Sequence, residues 1–106
     1  MRLSRLDGMT KGWFVGDFDP TALRTDAAEV AVKTYAAGDK EAWHYHKVAT
    51  EVTLILSGSV RMNGLPYAAG DIVRIEAGEG TDFEAVTDTV TVVAKVPSVA
   101  GDKYTR

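Results

Sequence analysis

Hydrophobic and polar residues alternate along much of this chain in short runs, and Gly, Asp or Pro interrupts the runs at intervals of about ten residues. Alternation with a period of two is typical of β-strands, because successive side chains of a strand point to opposite faces of a sheet. Helical periodicity is hard to find in this sequence. The pattern predicts seven strands, at residues 29–36, 43–48, 51–56, 59–62, 71–75, 81–86 and 90–96.

The connections between these strands are short. Ser57-Gly58 and Asn63-Gly64 supply the positive φ angles that tight hairpins require. Residues 17–23 are predicted to hold one helical turn, because an Asp followed by a Pro is a favourable start for a helix. We therefore predict an all-β, mostly antiparallel sandwich or barrel. It is a single domain over residues 1–106, with a barrel at about 28–97, an N-terminal arm at 1–27 and a C-terminal tail at 98–106.

Composition narrows the classes of function. A chain of 106 residues with 45% hydrophobic and 25% charged residues is typical of one globular domain. The net charge is −3 and the basic residues are scattered, so we expect neither nucleic acid nor a membrane surface as a partner. No signal peptide or apolar span is visible, and we expect a cytoplasmic protein. The chain has no cysteine, so any metal must be bound by nitrogen and oxygen.

The candidate chemistry lies around the two histidines of the chain. His44 and His46 are separated by one residue on a predicted strand, so their side chains share one face. Glu51 begins the next predicted strand and can reach the same point. Two imidazoles and one carboxylate can hold a divalent ion and leave positions open for water or substrate. A polar pocket that binds a small ligand without metal is the competing interpretation.

The spacing of these residues resembles the first motif of the cupin superfamily. Gly38 is followed by five residues and His44, one residue and His46, four residues and Glu51, and six residues and Gly58. This resemblance extends over about residues 30–96.

The second cupin motif is matched only in part. Gly70 and Gly78 stand at the expected spacing, but Glu76 occupies the usual place of a proline. Thr81 occupies the place of the histidine that is the family's fourth metal ligand. The resemblance implies an antiparallel double-stranded β-helix, the jelly-roll barrel of the cupins. It also implies a divalent ion (Fe, Mn, Ni or Zn) on His44, His46 and Glu51, completed by water.

Strand alternation predicts which side chains surround this site. The expected pocket-lining residues are Thr53, Ile55, Met62, Thr81, Phe83 and Tyr35. The pattern leaves open whether Tyr35 and Lys33 face inward. An apolar pocket with one polar end suits a small organic ligand.

Val52, Leu54 and Leu56 form an apolar stripe on the other face of the same strand. Such a stripe needs a cover. The N-terminal residues Trp13 and Phe14 can supply it within the chain, or a second copy of the chain can supply it. We predict a homodimer.

Two functions agree with the sequence and with the resemblance. The first is metal-assisted isomerase, lyase or dioxygenase chemistry on a small oxygenated molecule, such as a sugar-like or keto-acid compound. The second is a module that binds a small molecule or a metal without turnover. The sequence alone identifies no catalytic acid or base, and the barrel by itself does not decide between these functions.

Overall fold

The computed structural model describes residues 1–106 and shows an all-β fold of ten strands. The strands are β1 (Trp13–Gly16), β2 (Leu23–Arg24), β3 (Glu29–Tyr35), β4 (Lys40–Tyr45), β5 (Thr50–Ser57), β6 (Ser59–Met62), β7 (Leu65–Ala68), β8 (Ile72–Ile75), β9 (Gly80–Ala85) and β10 (Thr89–Val96). Six of them form one sheet in the order β2-β1-β3-β10-β5-β8, and four form a second sheet in the order β4-β9-β6-β7. Two mainly antiparallel sheets of this order make the jelly-roll barrel that the sequence predicts.

The predicted strands and the observed strands differ in a few places. β4 begins at Lys40 and ends at Tyr45, so His46 follows the strand instead of lying within it. β7 was not predicted, because its second residue is Pro66, which cannot donate a ladder hydrogen bond. β7 lies at the edge of its sheet, where a proline is tolerated.

The predicted helical turn at residues 17–23 is wrong. The backbone N–H of Ala22 donates to the carbonyl of Phe14 at 2.8 Å, and the Thr21 hydroxyl donates to the same carbonyl at 3.1 Å. These bonds hold the segment against β1 and lead it into β2, so the backbone groups are not free for a helix. One turn of 3-10 helix occurs earlier, at Leu6–Gly8. No helix of the structure is long and apolar enough to cross a membrane.

The hydrophobic core lies between the two sheets. Its buried cluster consists of Ile55, Val60, Met62, Phe83 and Ala85. These residues alternate with exposed or half-buried neighbours along β5, β6 and β9, as expected for strands with one face in a core.

The outer face of the larger sheet is apolar and only partly covered within the chain, because its residues are half-buried or exposed. The register places Ile72, Leu54, Val92 and Val32 in one row across four neighbouring strands. The expectation that the N-terminal aromatic residues cover this face near β5 is wrong. β1 pairs with β3, and both β3 and β10 separate it from β5.

Candidate functional site

His44, His46 and Glu51 all line one cavity of about 220 Å³ between the two sheets. His46 is only 4% exposed, and its Nε2 lies 3.6 Å from Oε1 of Glu51. The rings of His44 and His46 are 5.4 Å apart between centroids and nearly perpendicular, at 77°. As the side chains are placed, no three His, Asp or Glu residues are close enough together to hold one metal ion.

Both imidazoles are oriented by backbone carbonyl groups. Nδ1 of His44 lies 3.1 Å from the carbonyl oxygen of Ala42, and Nδ1 of His46 bonds the carbonyl oxygen of Asp102. Because a carbonyl only accepts, Nδ1 carries the proton in each ring, and Nε2 carries the lone pair when the ring is neutral. Nε2 of His46 is buried and has no hydrogen-bond partner.

Glu51, which faces His46 with one carboxylate oxygen, is held by Thr53 through the other. Its Oε2 accepts a hydrogen bond from the Thr53 hydroxyl at 3.0 Å. In the ladder between β5 and β10, Glu51 is the direct neighbour of Lys95, and Lys95 is the neighbour of Glu29 in β3. The ammonium group of Lys95 lies 3.5 Å from Glu29. Charges of alternating sign therefore cross the inner face of the larger sheet.

The cavity includes most of the predicted lining residues. Thr53, Met62, Thr81, Phe83 and Tyr35 all line it. Ile55 does not, because it is completely buried in the core cluster below the cavity wall. The hydroxyl of Thr81 donates to the carbonyl of Asp82 at 2.7 Å, so Thr81 does not take the place of the family's fourth ligand.

Glu41 enters the cavity through an irregularity in β4. The ladder with β9 pairs Glu41 with Phe83 and His44 with Thr81, so three steps along β4 match two along β9. This β-bulge places Glu41 and His44 on the same inner face although their positions differ by an odd number. Simple alternation from His44 predicts the opposite face for Glu41, and the sequence analysis missed it.

Tyr35 and Lys33 both face the cavity, which decides the orientation that the sequence left open. The Tyr35 hydroxyl donates to Oε1 of Glu41. The ammonium group of Lys33 lies 3.7 Å from the same oxygen. These three side chains join the two sheets, because Tyr35 and Lys33 belong to β3 and Glu41 belongs to β4.

Trp13 is a further cavity residue that the sequence analysis missed. Its ring lies 5.6 Å from Nζ of Lys33 and 4.8 Å from Nζ of Lys95. The ring faces inward because Trp13 pairs with Ala31 of β3, and the alanine side chain leaves room for an indole. Lys11 and Lys103 also line the cavity, and neither forms an ion pair.

Solved structures that resemble this chain share its architecture. A conserved protein with a double-stranded β-helix domain from Klebsiella pneumoniae is 24% identical over 76% of this chain and 71% of its own, with a TM-score of 0.68. A cupin protein from Bacteroides fragilis is 26% identical over 74% of this chain and 73% of its own, with a TM-score of 0.58. The chain folds as a small cupin domain.

Another similar structure belongs to a longer chain. The DMSP lyase DddQ from Ruegeria pomeroyi is 18% identical over 87% of this chain, with a TM-score of 0.71, and the chain spans 48% of its length. No model of a protein family matches the sequence, and no curated protein matches it. At these identities the neighbours establish the fold of this cupin, and its function has to be argued from its own cavity.

The electrostatics of the cupin cavity favour a charged Glu51. Burial raises the pKa of the Glu51 carboxyl, but the His46 ring, the Lys95 ammonium group and the Thr53 hydroxyl outweigh burial and hold this pKa below its usual value. The Glu51 carboxylate raises the pKa of His46 despite the burial of the ring. Burial lowers the pKa of His44, and the Lys103 charge lowers it further.

The tyrosine is held in its protonated form. Burial raises the pKa of Tyr35 well above its usual value, and the hydrogen bond to Glu41 and the carboxylate charges raise it further. Tyr35 therefore stays neutral and donates a hydrogen bond from its hydroxyl to Glu41.

The donor chemistry of His44, His46 and Glu51 is that of a divalent-metal site, although the three side chains as placed are not close enough together to share one ion. In metal sites each ligand is usually oriented by a second hydrogen bond. Here both imidazoles are held at Nδ1 by backbone carbonyls, and the carboxylate is held by a hydroxyl. Two ligands that share one ion, each about 2.1 Å from it, are roughly 3 to 3.5 Å apart. The separation of 3.6 Å between His46 and Glu51 is close to that range.

Proposed function

We propose that this cupin binds one divalent metal ion through His44, His46 and Glu51 and holds a small anionic, oxygenated molecule beside it. The observation that carries the proposal is the Nε2 atom of His46, which is buried, has no hydrogen-bond partner and faces Glu51. A buried polar atom without a partner costs free energy unless something completes its bonding. A metal ion would do so in place of the proton that the Glu51 carboxylate favours on this ring, because a neutral imidazole is a good ligand for Fe, Mn, Ni and Zn.

The cavity charges support an anionic ligand over a neutral one. Each carboxylate on the wall already has a partner within the protein: Glu41 has Tyr35 and Lys33, and Glu51 has Thr53. The carboxylates of Glu79 and Asp82 accept backbone N–H groups. The ammonium groups of Lys11 and Lys103 have no acidic partner, so they are available to a ligand. A keto acid fits this distribution better than an uncharged sugar.

Glu41 is the carboxylate that can take up a proton in such a reaction, and Tyr35 is the hydrogen-bond donor beside it. Tyr35 keeps its proton because its pKa is raised by burial, and Glu41 lies on the other side of the shared hydrogen bond. A bound ion would polarise a carbonyl or carboxylate oxygen of the ligand as a Lewis acid. A carboxylate that can take up a proton, with a hydrogen-bond donor on the same wall, supports isomerase or lyase chemistry.

A binding module without turnover is the second candidate function. The hydroxyl of Thr81 is bonded to the backbone, so Thr81 does not supply the fourth ligand that the family uses. A screen of keto acids and sugar acids with the metal-loaded protein separates the candidates. Turnover identifies an enzyme, whereas measurable affinity without turnover for every compound identifies the module.

Metal binding is tested by elemental analysis. After exposure to Fe²⁺, Mn²⁺, Ni²⁺ or Zn²⁺ and dialysis, the protein is expected to hold about one ion per chain for at least one of the metals. His46→Ala and Glu51→Gln are each expected to lower the affinity by about 100-fold or more, because each removes a ligand from a set of three.

Glu84→Gln is the matched control for this experiment. Glu84 lies in β9 and pairs with Lys40 on the outside of the smaller sheet. Its loss is expected to leave the metal content unchanged. Equal metal content in the unaltered protein, His46→Ala and Glu84→Gln would remove the basis for the proposed site.

We infer further that the outer face of the larger sheet joins two copies of the chain in a homodimer. Leu56 is 55% exposed on that face, and Leu65 is 58% exposed on β7 of the other sheet. Size-exclusion chromatography with light scattering is expected to give a mass of two chains for the unaltered protein. Leu56→Lys is expected to give one chain and Leu65→Lys two, because a charge is costly only where it is buried at the contact. A monomeric unaltered protein at micromolar concentration contradicts the homodimer.

A further inference from the structure

We propose that Asp102, in the C-terminal tail, is the positioning residue of the site. Its side chain fixes the loop that joins His46 to Glu51, and its main chain fixes the ring of His46. The inference rests on the proposed function, in which His46 and Glu51 hold a ligand together. Asp102 itself contacts no substrate, and it acts through the residues that do.

The Asp102 carboxylate accepts hydrogen bonds from three consecutive backbone N–H groups of the loop between β4 and β5, an arrangement called the clasp below. Oδ1 accepts from Lys47 at 2.9 Å and from Val48 at 3.3 Å. Oδ2 accepts from Val48 at 3.2 Å and from Ala49 at 2.9 Å. The loop residues 47–49 lie between the two candidate ligands, so this clasp fixes the position of Glu51 relative to His46.

The main chain of Asp102 makes a second, separate contact. Its carbonyl oxygen accepts the Nδ1 proton of His46, which leaves the lone pair of the ring on Nε2. One residue therefore sets both the path of the loop and the tautomer of the buried imidazole. The tail is held in place two residues later, where Tyr104 and Tyr45 exchange backbone hydrogen bonds of 2.9 and 3.0 Å.

The chemistry of the clasp requires a carboxylate. Asp102 is 7% exposed, and all its oxygen contacts are with donors. An ionised carboxyl group has two oxygens that only accept, so it can satisfy all three N–H groups. An asparagine would turn an NH₂ group toward one of those donors, and an alanine would leave all of them buried without a partner.

The experiment compares Asp102→Asn and Asp102→Ala with Asp88→Ala. Asp88 is the matched control, because its carboxylate also accepts a backbone N–H from a distant residue, Ala37 at 2.9 Å, but the loop that it holds carries none of the proposed ligands. Two readouts are taken on protein shown to be folded by circular dichroism. One is calorimetric titration with Ni²⁺, Mn²⁺ and Zn²⁺ salts. The other is the nitrogen-15 NMR spectrum of the metal-free histidine rings in alkaline buffer.

Both Asp102 variants are expected to bind metal about 10- to 100-fold more weakly, the range for loss of a group that orients a ligand. Without the carboxylate contacts the tail is expected to move away from the loop. The Asp102 carbonyl then no longer holds Nδ1, and the His46 ring is expected to change from one tautomer, protonated at Nδ1, to a mixture. Asp88→Ala is expected to change neither readout. If Asp102→Ala fails to fold, Asp102→Asn decides, because it preserves the size and shape of the side chain.

The two proposals fail in different ways. Folded Asp102 variants with unaltered affinity and an unaltered His46 tautomer overturn the positioning role while leaving the metal site intact. An unaltered protein that binds none of the metals overturns the proposed metal site. In that case the His46 tautomer is still compared between the metal-free unaltered protein and the metal-free Asp102 variants, and a difference shows that Asp102 positions the ring. An equal loss of affinity in Asp88→Ala would show general destabilisation and would also overturn the positioning role.

Discussion

Ile55→Ala is expected to lower the free energy of unfolding by about 4 kcal/mol, because it removes three carbon atoms from a close-packed cluster. Ile55 is 0% exposed and contacts the core between the two sheets. It does not line the cavity, unlike its cluster neighbours Met62 and Phe83. The loss is therefore expected in stability and not in the ligand affinity of the protein that remains folded. Urea denaturation and metal titration at one protein concentration measure the two quantities.

Leu65→Ala is the matched control for this prediction. It also removes three carbon atoms, but Leu65 is 58% exposed and lies on β7 of the smaller sheet, away from the proposed contact between chains. We expect a change within about 0.5 kcal/mol for this variant. A similar loss in both variants would mean that burial does not explain the effect. A large loss of metal affinity in Ile55→Ala alone would mean that Ile55 belongs to the site after all.

Gly58→Ala is expected to destabilise the protein by about 4 kcal/mol. Gly58 has φ +91°, which costs an alanine about 1–2 kcal/mol by itself. A Cβ atom at this position would also lie 2.3 Å from the carbonyl oxygen of Asp88 and 2.9 Å from Cα of Thr89. Both are backbone atoms, so β10 would have to move away from the turn between β5 and β6. Thermal and urea denaturation measure the loss.

Gly70→Ala separates the two causes. Gly70 has φ +92°, and nothing lies within 4 Å of the position where its Cβ would be. It therefore reports the cost of the left-handed backbone alone, about 1–2 kcal/mol. If Gly58→Ala costs no more than Gly70→Ala, then the approach of β10 to the turn is not what excludes a side chain at residue 58.

The part of the site that the sequence predicts follows from local rules. His44 and His46 are two residues apart, and Glu51 begins the next strand, so local spacing brings them to one space. The seven predicted strands overlap observed strands for the same reason, because their alternation is regular over several residues.

The remaining features of the site depend on contacts between distant parts of the chain. Glu41 enters the cavity because of a bulge that depends on pairing with β9, and no local pattern indicates it. Trp13 enters because the first strand pairs with β3 instead of covering β5. Asp102 reaches the loop after His46 across more than fifty residues of sequence. Sequence periodicity reports the face of a strand, but it does not report which strand or tail lies beside it.

The indole of Trp13 gives the cavity an optical signal of its own. It lies in the cavity wall beside the charges of Lys33 and Lys95, and indole emission is sensitive to nearby charge and water. The chain has two tryptophans, and the other, Trp43, lies under the guanidinium group of Arg106 outside this cavity. Exchanging Trp43 for phenylalanine leaves a single tryptophan. The wavelength and intensity of its fluorescence emission then report the binding of a molecule in the cavity, before any substrate has been identified.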